Sequence, residues 1–235
     1  MAREGSVSFL DKRKMERLYA DYNLNDVIDR PKYNLIMGGI VVYGLAVNYF
    51  LCKAVPNVYL YINPVIFLIM YMVLVIAGTA VSAKSGNPIV SFIGYNMVVV
   101  PCGLVVSMAV QVYGGLESDI VSQAFLYTFC ISGIMIAASM LWPSAFETMG
   151  RYLFTGLIAV LVGSVIGIFI NGVFNVMSWF GALIFSLYIG YDYYRAQQYT
   201  PTLDNAVDCA LDIYLDIINL FLKLLRILGR RSSRD

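Results

Sequence analysis

The sequence predicts an all-α integral membrane protein in which six transmembrane helices surround or flank a seventh, acid-bearing helix at the C-terminal end. Three observations carry this. The chain has 235 residues, 60% of them hydrophobic and only 13% charged. A soluble domain is roughly 45–50% apolar and about 25% charged, so these apolar side chains exceed what a water-soluble globule can enclose, and the mean hydropathy of +0.73 agrees. Six stretches reach the length of about 20 mostly apolar residues that crossing a bilayer requires, and a seventh is helical by length and spacing yet carries five charges.

The first 33 residues form a mixed-charge segment without an apolar core, which reads as a cytoplasmic tail and not as a cleavable signal. Its pattern allows a short surface helix at 10–18. A membrane domain follows over 34–229, with a basic tail at 230–235. Within the domain the spans are 34–51, 59–81, 89–112, 120–141, 152–170 and 174–195, and the short polar joints between them make neighbouring helices antiparallel. Trp142, Trp179, Tyr59, Tyr61, Tyr193 and Tyr194 fall near span ends, where amphipathic rings favour the interface. Gly78 with Ser82, Gly163 with Gly167, and Ser186 with Gly190 give the small-xxx-small spacing that lets helices approach closely.

Orientation follows from the basic residues, because cytoplasmic loops collect Lys and Arg. Seven lie in the N-terminal tail, and the second, fourth and sixth joints hold Lys84, Arg151 and Arg195, whereas the odd joints hold only Lys53. The expected location is a plasma (inner) membrane with the N-terminus cytoplasmic. Arg226, Arg230, Arg231 and Arg234 prefer the cytoplasm by the same rule, although seven full crossings would put them outside. Either the seventh helix is re-entrant or the rule fails for this tail.

There is no histidine in the chain, which removes His general-base catalysis, Ser-His and Cys-His pairs and His-ligated metals. Four cysteines, Cys52, Cys102, Cys130 and Cys209, lie far apart in apolar stretches and read as buried small hydrophobes. A net charge of +1 leaves no basic footprint for nucleic acid. No cofactor and no enzymatic activity are expected.

Ionisable residues at membrane depth are costly and therefore mark function. Asp192 lies near the end of the sixth span. In the seventh segment, 206–228, Asp208, Asp212 and Asp216 continue a four-residue spacing that starts at Asp204, so the four form a nearly straight stripe that must face water or protein. Asp204 belongs to the helix start, where acids complement the dipole, but Asp216 lies too deep for that. If Asp192 and Asp216 meet, two carboxylates in one low-dielectric site cannot both ionise cheaply and would titrate as a unit near neutral pH. They would also supply hard oxygen ligands suited to Ca²⁺. An alternative is that each acid pairs with a base, Lys84, Arg195 or Lys223, that pins the bundle.

At FSLYIGYD (185–192) and ALDIYLDIINLFLKLLRILG (210–229), with an aspartate in each, the chain resembles the Bax inhibitor-1 family of transmembrane Bax-inhibitor-motif proteins, as a bacterial member. The resemblance implies a central C-terminal helix and a pH-dependent Ca²⁺ leak in which Asp192 and Asp216 act as sensor, gate and metal ligands, with Asp208, Asp212, Lys84 and Asn219 lining or supporting the path. The family places a basic partner for the pair near the junction of the second and third helices, where this chain offers only Lys84. The implied partners are the lipid bilayer, calcium ion and protons; protein partners stay open. Rival readings are a proton/cation exchanger, an intramembrane aspartyl protease, which lacks here the usual G-x-G-D at the second aspartate, and a membrane-embedded regulatory protein.

Overall fold

A computed structural model of the chain describes residues 26–56, 63–170 and 172–232. The surface helix expected at 10–18 and the interfacial Tyr59 and Tyr61 lie outside these residues. Seven long helices are described: α1 (Arg30–Ala54), α2 (Pro64–Lys84), α3 (Pro88–Val112), α4 (Asp119–Leu141), α5 (Gly150–Phe169), α6 (Val173–Gln198) and α7 (Leu203–Ser232). A single helical turn, Pro143–Glu147, sits in the fourth joint. The first six are long and apolar enough to cross a membrane. The chain is thus an all-α, multi-pass membrane protein.

The helix starts are written locally. Proline in the first turn opens α1, α2 and α3, where its missing N–H costs nothing. Asn63 and Asn87 cap the second and third, each accepting a backbone N–H at 2.9 Å through Oδ1, and the Ser118 hydroxyl caps α4. Asp29 is extended and Pro31 follows it inside the first turn, so α1 begins four residues before the apolar run that betrays it.

The layers follow from which faces are apolar all round. α7 is the central helix, packed by α1, α3, α4 and α6, while α2 lies outside α3 and α5 outside α6. On α2, Ile66, Ile69, Val73 and Ile76 are exposed at helical spacing. That outward apolar face is what a helix presents to lipid. The small-residue pairs are packing sites. A Cβ added to Gly94 would stand 2.7 Å from the Gly78 carbonyl and 2.7 Å from the Ser82 amide, and one at Gly167 would stand 2.8 Å from the Phe174 backbone. Trp142 and Trp179 are exposed as expected of interfacial rings. Cys52, Cys102 and Cys209 are buried thiols in no disulfide, but Cys130 is exposed on α4, so the burial expected for all four cysteines holds for three.

α7 runs the whole length of the bundle. Near its start, Asp204 meets Ser91 at the beginning of α3, and the Ile28 amide donates to the Pro201 carbonyl at 2.8 Å, beside a bridge between Val27 and Thr202. Near its end, Gly229 abuts Tyr113, just past α3, and Arg226 covers Phe174 at the start of α6. The helix is therefore not re-entrant, and its basic end lies opposite the joints that hold Lys84, Arg151 and Arg195.

Candidate functional site

The connector between α6 and α7 brings the two distant aspartates level. Asp192 lies six residues before the end of α6, about 9 Å, and Asp216 lies thirteen residues past the start of α7, about 20 Å, at 1.5 Å per residue. The mismatch of about 11 Å is taken up by residues 199–202, where Tyr199 is extended and the Thr202 amide then closes a tight turn on the Thr200 carbonyl at 2.9 Å. Pro201 enforces the shape by disfavouring helix at Thr200. The pairing of Ile28 and Val27 with Pro201 and Thr202 then holds the dropped connector in place.

At that level the Asp192 and Asp216 carboxyls come within hydrogen-bonding reach of each other. Both are buried. The base at the pair is Arg195, one turn along α6 from Asp192: its Nη1 donates to Asp192 Oδ1 at 3.0 Å, and its Nη2 donates to the Tyr199 hydroxyl at 2.8 Å. The guanidinium is flanked by the Tyr191 and Tyr199 rings at 5.5 and 5.8 Å from their centroids, a placement that suits its planar charge. Asp212, half-exposed on the preceding turn of α7, adds its field to both acids and to Arg195.

One atom in this cluster is under-satisfied. Oδ2 of Asp216 is buried and no N–H or O–H of the described residues reaches it. An ionised oxygen left so is expensive. A proton held between the two carboxyls removes the deficit, since the protonated one donates to the other. Two carboxylates, one arginine and one proton make a locally neutral unit, and loss of the proton leaves a net negative charge at the α6–α7 contact.

Other residues singled out in the sequence are placed differently. Lys84 is exposed at the end of α2 and forms no ion pair with a described residue, so it is not the partner of Asp192 and Asp216. Arg195 holds that position, because a base three residues away on the same helix needs no tertiary contact to arrive. Asn219 donates to the Leu215 carbonyl of its own helix at 2.8 Å. The acidic stripe is split. Asp208 accepts from the Ser82 hydroxyl and Asp204 from the Ser91 hydroxyl, whereas Asp212 and Asp216 face α6. A four-residue step advances about 40° beyond a full turn, so three steps rotate the stripe from the α2–α3 hairpin to α6.

Sequence reading missed a second polar contact of α7. The Tyr214 hydroxyl sits 2.8 Å from Nδ2 and 3.0 Å from Oδ1 of Asn48 on α1, both residues being buried. Gly44 makes room for it: an added Cβ there would strike the Tyr95 hydroxyl and stand 3.0 Å from the Tyr214 ring. Asn48, a lone amide within an apolar span, was the available signal.

Among the described residues no three carboxylates, cysteines or histidines gather into a closed metal cage. Ca²⁺ takes six to eight oxygens. A bare carboxylate pair therefore suits a passing ion that keeps part of its water better than a resident one.

The family model described as "Inhibitor of apoptosis-promoting Bax1" matches residues 25–233. The chain is similar to an uncharacterized protein of Helicobacter pylori, 35% identical over 115 residues, which are 48% of this chain and 49% of that protein. It is 33% identical over 115 residues to a Golgi anti-apoptotic protein of vaccinia virus, 48% of each. An uncharacterized membrane protein of Vibrio cholerae is 32% identical over 118 residues, 49% of this chain and 52% of its own. The chain thus spans about half the length of these relatives.

Proposed function

The chain belongs to the Bax inhibitor family, and we propose that it is a passive, pH-gated cation leak, chiefly for Ca²⁺, of a plasma membrane, with its N-terminus in the cytoplasm. The observation that carries this is the contact between the Asp192 and Asp216 carboxyls across α6 and α7, with Oδ2 of Asp216 buried and reached by no donor. With one proton shared, the pair bridges the two helices and closes the path. When the proton leaves, two like charges repel across a low-dielectric contact that a single Arg195 cannot balance, and α7 shifts against α6. The same ionisation creates hard oxygen ligands for the entering ion. Asp212, half-exposed one turn before Asp216, lines the approach with negative charge.

Reconstitution in vesicles loaded with a Ca²⁺ dye tests the reading. It predicts faster flux at pH 8 than at pH 6, and slow flux at both in Asp216→Asn, whose amide mimics the protonated acid and cannot ionise. Equal flux at the two pH values in the wild type, or an unaltered response in Asp216→Asn, would sink it. Uphill accumulation driven by a pH gradient would replace the leak with a proton/cation exchanger.

A further inference from the structure

Along α7 the half-exposed positions Asp212, Leu215, Asn219, Leu222 and Arg226 recur every three or four residues. One narrow face of the central helix is therefore left uncovered by its four neighbours. Its inner end is acidic and belongs to the site already described. Its outer end is cationic: Lys223, Arg226 and Arg230 stand three and four residues apart, close enough to share one flank.

Depth and surroundings define that end. Gly229 abuts Tyr113, one residue past the end of α3, and Arg226 rests on Phe174, the second residue of α6, so this end of α7 stands level with the ends of two spanning helices. The cations thus stand at the far boundary of the membrane, where lipid headgroups begin. They are also held in place. The Lys223 stem lies against Gly181, where an added Cβ would be 2.8 Å from Cε and 3.3 Å from Nζ. The Arg226 guanidinium rests 4.3 Å over the Phe174 ring.

No carboxylate of the described residues pairs with any of the three, and Lys223 and Arg226 feel each other's charge. Three like charges grouped with no counter-charge among the described residues call for an anion from outside the protein. At the headgroup level, with the apolar Leu222 on the same uncovered face, that anion is a phosphodiester whose acyl chains are already in the bilayer.

We propose that Lys223, Arg226 and Arg230 form a binding site for the phosphate of an anionic phospholipid, with an acyl chain laid over Leu222. A zwitterionic lipid brings no net charge to offset the three cations and binds more weakly. Binding itself does not depend on the leak reading. Its consequence does: bare cations at one end of the acidic face would repel a passing divalent ion, and a bound lipid anion cancels that repulsion.

The test measures binding without flux. The full chain in detergent is mixed with equal amounts of phosphatidylglycerol and phosphatidylcholine of identical acyl chains, and adducts are counted by native mass spectrometry. A basic residue at a lipid surface contributes about 1 kcal/mol, or about fivefold in affinity. Phosphatidylglycerol adducts should therefore exceed phosphatidylcholine adducts by well over tenfold, and fall about fivefold with each charge removed in the series R230Q, R226Q and K223Q. Millimolar inorganic phosphate should leave the lipid adducts in place. Equal adducts of the two lipids, undiminished phosphatidylglycerol binding in the triple variant, or displacement by inorganic phosphate would each overturn the proposal. Should the triple variant not elute as a monodisperse species, R230E, at an exposed position near the helix end, decides it: unchanged phosphatidylglycerol binding there is equally fatal.

Discussion

α7 makes two buried polar contacts at nearly the same depth, one with α1 and one with α6, and they differ in kind. Tyr214 and Asn48 are neutral, and hydroxyl and amide satisfy each other. Asp216 and Asp192 are ionisable, lean on one arginine, and leave an oxygen that no N–H or O–H of the described residues reaches. A neutral, complete pair in a low-dielectric contact has one state and acts as a pivot. An ionisable, incomplete pair has two states whose difference in charge acts directly on the helix packing. On the proposed function, the same helix carries a fixed side and a switchable side.

The largest expected effect comes from removing the switch. Asp216→Asn should lower Ca²⁺ flux at pH 8 by about tenfold or more, the equivalent of about 1.4 kcal/mol in the open–closed balance, and erase its pH response in dye-loaded vesicles. Arg195→Gln leaves Asp192 buried without its base. Breaking a buried pair from one side costs about 3–5 kcal/mol, but the Arg195 side chain is 20% exposed, so the expected loss is at the low end or below, read as a fall in unfolding temperature in detergent. Tyr214→Phe should cost about 1–3 kcal/mol by orphaning Asn48 while the pH response of the flux survives. The double variant Asn48→Leu, Tyr214→Phe should recover much of that loss, since removing both partners leaves nothing unpaired. If Tyr214→Phe instead abolished the pH response, the distinction between pivot and switch would fail. The smallest effect is that of Lys84→Ala, within about 0.5 kcal/mol and with unaltered flux, because Lys84 touches neither contact.

The frame was legible because six apolar runs of spanning length leave little freedom, and the ends of α3 and α4 fall within a residue of where hydropathy alone puts them. The amphipathic α7 was legible too, through acids that lipid forbids. What hydropathy could not give was register. Asp192 and Asp216 meet only because the connector carries the start of α7 past the end of α6, which depends on Pro201 and on a strap from Val27 and Ile28 that no local pattern announces. The partner of the pair was read at Lys84 from family position, although Asp192 and Arg195 already stood at the three-residue spacing of a helical ion pair. The stripe from Asp204 to Asp216 looked like one surface because a four-residue repeat is nearly, but not quite, one turn. Its slow rotation sends the first two acids to Ser82 and Ser91 and the last two to α6.

The central claim is that Asp192 and Asp216 share one proton at the α6–α7 contact and that its loss opens the path. Infrared difference spectroscopy of the reconstituted protein between pH 6 and pH 8 reads the shared proton directly, through the carbonyl stretch of a protonated carboxyl. A band present at pH 6, lost at pH 8, and absent from the difference spectra of both Asp192→Asn and Asp216→Asn is the predicted result. A band that persists unchanged in either variant, or no protonated carboxyl at pH 6 in the wild type, would contradict it.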